Sequence, residues 1–408
     1  MARVRGHLSE RLSRRGIVGR MPIRIGTGIS THQDPRVGAI EAAQAAGAGL
    51  DGGSADLVVL FASGGHMEDP EATLEGVHEA LRPASLVGCG AGGVLGCGAE
   101  HEDGMAVAVW AASLGDGRAQ TFHAVASVHE ETETVTVMGM EDLAGARGAI
   151  LLPDPFTFPT DPLLQDLATR APGVPVIGGL ASGRRPDERG VLFHGDDVLD
   201  GGTVGVRFDD VDVLPCVSQG ATPVGPEITI TEAEGNVISE LAGQPALDRI
   251  RAVIEELDPV DRTLIAGGLL IGLVVDGGRP EYGHGDFLVR QLLGADPVGG
   301  TLAIAAPVHT GQVLRLHARD AASADRDLQE QLRLRVSALG GQPAGALAFS
   351  CNGRGRAMFG IEDHDAGALS EELAGAPAAG FFAAGEIGPV GGASFLHAFT
   401  ATVALFGA

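Results

Sequence analysis

The sequence predicts an α/β protein: a two-part layered α/β sandwich with mixed sheets covered by helices, built from duplicated strand-helix-strand units. Three observations predict it. Several short runs, such as Leu57-Val-Val-Leu-Phe61 and Ala346-Leu-Ala-Phe-Ser350, are apolar throughout, as strands buried on both faces are. Helix-starting Asp-Pro pairs alternate with those runs. One order recurs three times, around 57–111, 149–208 and 346–406: strand, polar loop, helix, strand, Gly-rich loop, strand. The two strands before each Gly-rich loop lie roughly 30 residues apart, the length of a strand–helix–strand crossover.

In chain order, Ile23–Gly28 reads as the first strand, and Asp34-Pro35 opens a helix with Asp as N-cap and Pro at the first helical position. Asp56–Phe61 is the next strand, Asp69-Pro70 opens a helix reaching Arg82, and Ala84–Gly88 and Met105–Ala111 are strands around a loop at Cys89–Gly96. The second unit has strands at Ala149–Leu152, Val174–Gly178 and Val191–Phe193, with Asp161-Pro162 opening its helix. Pro223–Pro245 links the two halves: Glu227–Thr231 alternates like a strand, Asn236–Leu241 follows, and Pro245 opens a helix to Leu257. Leu264–Val275 and Gly300–Pro307 are expected strands, with a short helix at Leu288–Leu293 between them. Ala324–Leu339 is an amphipathic helix carrying Leu328, Leu332, Val336 and Leu339 on one face. The third unit comprises a strand at Ala346–Ser350, a helix at Asp363–Leu373, a strand at Gly380–Ala384, a loop at Gly385–Gly392 and one strand over Phe395–Phe406.

Composition excludes several function classes. The chain has 408 residues and a net charge of −25, which disfavours nucleic acid and anionic membranes as partners. All 28 basic residues are Arg, so Schiff-base chemistry and a Walker lysine are ruled out. The four cysteines, Cys89, Cys97, Cys216 and Cys351, show no CxxC spacing, so they read as free thiols in a reducing, cytoplasmic setting rather than as zinc ligands. The acidic clusters Glu100-His-Glu-Asp103 and Glu362-Asp-His-Asp365 read as polar turns, with no metal expected. The apolar run Leu264–Val275 is too short to span a bilayer, which takes about 20 residues. Residues 1–22, rich in Arg, read as a disordered basic extension or a start placed too early, with Met21 as the natural beginning. Gly88-Cys-Gly-Ala-Gly-Gly93 matches the dinucleotide fingerprint GxGxxG, but no helical pattern follows to face a pyrophosphate, so it reads as a tight turn and no cofactor is expected.

The chemistry concentrates near the C-terminus. If the strands at Ala346–Ser350 and Gly380–Ala384 are parallel neighbours, the loops Cys351–Arg356 and Gly385–Gly392 leave the same sheet edge, where α/β proteins bind ligands. Candidate ligand-binding residues there are Cys351, Asn352, Gly353, Arg354, Gly385, Glu386, Gly388, His397 and Thr400. Arg354 suits a carboxylate, through two parallel hydrogen bonds, and Glu386 suits an ammonium group. The plainer alternative is an internal Arg354–Glu386 pair tying the two loops together. Cys351, His397 and Glu386 also compose a nucleophile, base and orienting acid, so a Cys-dependent hydrolase or transferase is a second reading.

Phe349-Ser-Cys-Asn-Gly-Arg-Gly-Arg-Ala-Met-Phe-Gly360, Gly385-Glu-Ile-Gly-Pro389 and Leu396-His-Ala-Phe-Thr400 resemble the C-terminal half of the FIST domain, the sensory domain of F-box and intracellular signal transduction proteins. The stretch around Cys89–Glu102 resembles its N-terminal half, and Gln244-Pro-Ala-Leu247 the junction of the two. The resemblance implies a FIST N-like domain over 23–240 and a FIST C-like domain over 241–408. It further implies a cytoplasmic small-ligand sensor, with amino acids or related carboxylates as ligands and a separate protein partner for output. A protein-interaction scaffold, as in F-box relatives, is a third reading, and no catalytic mechanism is implied.

Overall fold

A computed structural model describes residues 21–129, 134–275, 277, 282 and 286–408. Most of the segment expected to be a basic extension therefore lies outside the described residues. The first repeat runs β1 (Arg24–Ser30), α1 (Pro35–Ala48), β2 (Leu57–Ser63), α2 (Gly65–Glu68), α3 (Pro70–Leu81), β3 (Leu86–Ala91), β4 (Val94–Gly96), β5 (Ala99–His101) and β6 (Ala106–Ser113). The second runs β7 (Arg118–His129), β8 (Thr134–Met138), β9 (Gly148–Pro153), α4 (Thr160–Arg170), β10 (Val176–Gly179), β11 (Leu192–His194), β12 (Asp197–Leu199) and β13 (Thr203–Asp209). The third opens with β14 (Val213–Ser218) and is then interrupted.

The interruption holds β15 (Ala221–Glu234), β16 (Val237–Leu241), β17 (Gln244–Pro245), α5 (Ala246–Glu256), α6 (Pro259–Ala266), β18 (Leu269–Val274), β19 (Phe287–Asp296), β20 (Thr301–Ile304) and β21 (Val313–Arg319). The third repeat resumes with α7 (Ala321–Leu339), β22 (Gly345–Cys351), α8 (Arg356–Phe359), α9 (His364–Glu372), β23 (Ala378–Ala383), β24 (Glu386–Val390), β25 (Ala393–His397) and β26 (Ala401–Phe406).

The mixed sheets covered by helices are those the sequence predicts. In each repeat two strands are parallel neighbours across a helix: β2 with β3, β9 with β10, β22 with β23. A third strand lies antiparallel beside the first of each pair, and an earlier strand flanks the third, in the orders β1-β6-β2-β3, β7-β13-β9-β10 and β14-β26-β22-β23. Each Gly-rich segment holds a hairpin that leaves its own sheet. β11–β12 pairs onto β3, β24–β25 onto β10, and β4–β5 onto β23. Every repeat thus completes a neighbour's sheet, and the exchange closes in a ring of three.

The three sheets turn one face each to a shared core that includes Phe61 and Trp110 from the first, Ile150 and Phe208 from the second, and Phe349, Phe381 and Phe406 from the third. The outer faces carry separate cores, with Ala42, Ala46 and Leu74 over the first sheet, Leu163 and Leu167 over the second, and Leu328, Leu332 and Leu369 over the third. One glycine recurs at the same place in each repeat. A Cβ on Gly88, Gly178 or Gly380 would collide with the carbonyl oxygen of Leu60, Leu151 or Ala348 on the parallel neighbour. Two residues further on, equivalent amides cross between repeats: Phe382 N–H to Gly93 O at 2.9 Å, Leu180 N–H to Gly385 O at 2.8 Å and Gly90 N–H to Val191 O at 2.8 Å.

The interrupting segment is a closed antiparallel barrel, in which β15-β21-β18-β19-β20-β16 returns to β15. Irregularities in the β15 and β19 pairings supply bends that help such a sheet close. Its core, including Ile230, Ile250, Val253 and Leu316, is its own.

Several elements differ from expectation. Leu288–Leu293, expected as a helix, lies inside β19, because Phe287–Gln291 pairs with β18 and the stretch from Leu292 to Asp296 pairs with β20. Gly385–Gly392 is not a loop but β24 and the turn into β25, where Gly391 and Gly392 both adopt positive φ. The single strand expected over Phe395–Phe406 is broken into β25 and β26. Asp34 and Asp69 cap their helices as expected, accepting from Val37 and Ala72 N–H, but Asp161 lies within the first turn of α4 and caps nothing. Leu264–Val275 divides between α6 and β18. Position 240/241 falls inside β16.

Candidate ligand site at the end of the third repeat

β22 and β23 run parallel in register, Cys351 opposite Ala383, so the loops that follow them leave the same sheet edge. Cys351 closes β22 with its N–H on the Thr400 carbonyl at 3.0 Å, and the Asn352 N–H reaches the Ala383 carbonyl at 2.9 Å. These two bonds bring the loop 352–356 against the start of β24 and the end of the 398–400 turn. Asn352 is exposed at the rim.

Glu386 is fully buried. Its Oε2 accepts from Thr400 N–H at 3.0 Å and Thr400 Oγ1 at 2.7 Å. Burial pushes its pKa up to about 7, against the Thr400 bonds and a hydrogen bond with the Cys351 thiol. The Cys351 sulfur accepts from Gly353 N–H at 3.5 Å and Phe399 N–H at 3.3 Å. Burial first, then the charge of Glu386, push this thiol up to about 12, despite those two donors.

Arg354 is also buried, 1% exposed. Its Nε and Nη2 donate to the two oxygens of Asp365 at 2.7 and 2.8 Å, a bidentate pair. Asp365 further accepts from Ser350 Oγ at 2.6 Å and from His364 Nδ1 at 2.8 Å. Burial alone would raise the Asp365 pKa, but Arg354 and these donors hold it well below the usual carboxylate range. The guanidinium carbon lies 5.0 Å from the centre of the Phe359 ring, itself stacked on His364. The third nitrogen, Nη1, is buried with no hydrogen-bond partner and points toward Gly220, 3.1 Å from where a Cβ would stand there.

Cys351, Gly353, Arg354, Glu386 and Thr400 are thus brought into one polar cluster. His397 stands opposite Glu386 in the β24–β25 register, yet its Nε2 bonds the Gly388 carbonyl at 2.9 Å. Burial holds His397 down to about 4. The Gly385 carbonyl is engaged by Leu180 N–H in the interlock between repeats.

Residues outside the expected set shape the cluster. Arg319, at the end of the barrel strand β21, donates to the Gly353 carbonyl, reaches Met358 Sδ at 3.5 Å and lies over the Phe399 ring at 4.7 Å. The hairpin β4–β5 supplies two supports. Glu102 accepts from Arg356 N–H at 2.7 Å, and Glu100 accepts from Ala366 N–H at 2.9 Å in the first turn of α9. Burial raises the Glu100 pKa to about 7. The acidic run 100–103 is therefore a brace on the third repeat. A hairpin, not a helix, follows Gly93. The internal pair expected between Arg354 and Glu386 is instead formed with Asp365, an acid that the sequence places only in a polar turn.

The second repeat has its own buried pair at the corresponding edge: Arg184 donates to both oxygens of Asp154 at 2.8 and 2.7 Å, and Asp154 also accepts from Phe156 and Thr157 N–H.

The FIST N domain model matches residues 56–244 and the FIST C domain model residues 246–389, and the chain belongs to this family. FIST domains are associated with sensing and signal transduction. The chain is similar to the uncharacterized protein Rv0628c of Mycobacterium tuberculosis, 44% identical over 386 residues that cover 94% of this chain and 100% of the relative. It is equally similar to the uncharacterized protein Mb0898c of Mycobacterium bovis, 44% identical over 94% of this chain and 99% of that one. Among the described residues no helix is long and apolar enough to cross a membrane.

Proposed function

We propose that the protein is a small-ligand sensor whose ligand, an amino acid or related carboxylate, is held by the cluster of Asn352, Gly353, Arg354, Glu386 and Thr400. One observation carries this reading: the buried guanidinium of Arg354 keeps one nitrogen, Nη1, without an acceptor. A buried donor left unpaired costs about 1–3 kcal/mol, which a ligand oxygen removes. The Asp365 pair fixes the guanidinium plane in advance, so little freedom is lost on binding. Glu386 Oε1, on the same cluster, offers an acceptor for an ammonium or hydroxyl group. Arg319 ties the loop to the barrel, so a ligand that orders residues 352–356 also loads the barrel contact and has a route to a protein partner.

A thiol-dependent reaction finds less support. Reactive cysteines have depressed pKa values, whereas burial and Glu386 push Cys351 up to about 12. His397 bonds a carbonyl rather than the sulfur.

The test is a thermal-shift panel of amino acids and small carboxylates, each compared with its methyl ester. A carboxylate present at about 100 times its Kd adds roughly 2.7 kcal/mol and raises Tm by a few degrees. Shifts from carboxylates and not from their esters support the reading; a panel without any selective shift refutes it.

A further inference from the structure

A polar cavity lies between β14, α7 and β24 of the hairpin β24–β25. Its volume is about 80 Å³, and its walls include Gln219, Asp327, Gln331, Arg335, Pro389 and Val390. It is about half the size of a cavity that takes benzene, and larger than the roughly 30 Å³ share of one water.

Two of its lining side chains carry buried atoms without partners. Gln219 is 2% exposed, and its Nε2 donates to the Phe287 carbonyl at 2.6 Å. That bond fixes which end of the amide is nitrogen, and it leaves Oε1 as a buried acceptor with no donor. Arg335 Nε is a buried donor with no acceptor. Asp327 is already committed: its Oδ2 accepts from Ser218 Oγ at 2.7 Å and Gln219 N–H at 3.0 Å, and its Oδ1 from Gln331 Nε2 at 3.5 Å. One unpaired acceptor, Gln219 Oε1, and one unpaired donor, Arg335 Nε, match a neutral guest that carries both a donor and an acceptor. Pro389 and Val390 leave room for one small apolar group.

We propose that this cavity binds a small neutral molecule of the N–C=O type, a primary carboxamide or urea. Its N–H answers Gln219 Oε1, and its carbonyl answers Arg335 Nε. The site is separate from the carboxylate cluster, although Gly220, the next residue along, stands against Arg354 Nη1. Gln219 also joins the barrel through Phe287, so a guest here bears on the point where the barrel enters the third repeat.

The full chain is titrated with acetamide, with acetate and acetone as comparators, and binding is followed by calorimetry. Acetamide gives saturable one-to-one binding that Gln219→Leu weakens about tenfold or more, as loss of one buried partner implies, acetone gives none, and any binding of acetate is unchanged by Gln219→Leu. If Gln219→Leu does not fold, Arg335→Met, altering a side chain that is partly exposed, gives the same readout. Crystals grown with acetamide show it between Gln219 and Arg335. No saturable binding, an equal response to acetone, unchanged affinity in the folded variants, or ordered water alone in the cavity would each overturn the proposal. Because acetate is the comparator here and the active class at Arg354, either proposal can fail while the other stands.

Discussion

Among the described residues, four buried ionisable groups push the pH response in opposite directions. Burial depresses His66 and His397 from 6.5 to about 4, and raises Glu100 and Glu386 from 4.5 to about 7. Between pH 4.5 and 6.5 the unfolded state binds more protons at the two histidines, so their contribution to stability grows as pH rises. Over the same window the folded state binds more protons at the two glutamates, so theirs shrinks as pH rises. These four contributions nearly cancel across that window. Glu386→Gln removes one opposing group. Its unfolding free energy should then rise with pH by about 1 kcal/mol per unit, the value of one proton, in denaturant titrations between pH 4.5 and 6.5. A variant as flat as the parent would show that Glu386 ionises normally. The cluster around Glu386 was partly legible in the sequence, since strand ends in register bring loops together. The partner of Arg354 was not. Glu386 and Asp365 are equivalent acids on paper, and only the turn from β22 into α8 and α9 puts Asp365 within reach of two guanidinium nitrogens.

At the scale of elements, helix starts were read where side-chain chemistry is local. Asp69 accepts from Ala72 N–H, and Pro70 occupies the first helical position of α3. Asp69→Ala should lower stability by about 1 kcal/mol, measured as a shift in denaturant midpoint at constant slope. An unchanged midpoint would mean that the cap adds nothing beyond the packing of α3. Local chemistry failed where long-range pairing decides. Leu288–Leu293 has residues that suit either state, and the neighbours β18 and β20 make it strand. The barrel was invisible for the same reason: β15 meets both β21 and β16, contacts that no local periodicity records. The turn at Gly391-Gly392 reads from its glycines as part of a longer loop, whereas the break at 398–400, with Phe399 at positive φ, is not written in hydropathy.

Across the whole molecule, the three recurrences near 57–111, 149–208 and 346–406 were legible as repeats. Their exchange of hairpins was not, because a strand of three to five residues carries too little pattern to name its partner. The exchange has a consequence for folding. β24–β25 completes the second repeat's sheet, and β4–β5 completes the third's. Residues 21–244 expressed alone should therefore lack a partner for β10, leave β4–β5 unpaired and expose the shared aromatic core. Such a fragment should aggregate or show little exchange protection, while the whole chain remains monodisperse. A folded, soluble 21–244 fragment would show that the N-terminal half needs no completion.

The central claim is that Arg354 recognises a ligand rather than only bracing the loop. Truncating Arg354 alone would leave Asp365 buried and unpaired, at a cost of about 3–5 kcal/mol, and would confuse binding with folding. The double substitution Arg354→Met with Asp365→Leu replaces the whole pair by apolar groups, an exchange that is often neutral or stabilising. The decisive measurement is calorimetric titration of this double variant with the carboxylate that stabilises the parent chain. If Arg354 holds the ligand, the double variant is a folded protein with a similar Tm and at least a tenfold loss of affinity. A folded double variant that binds as tightly as the parent would contradict it.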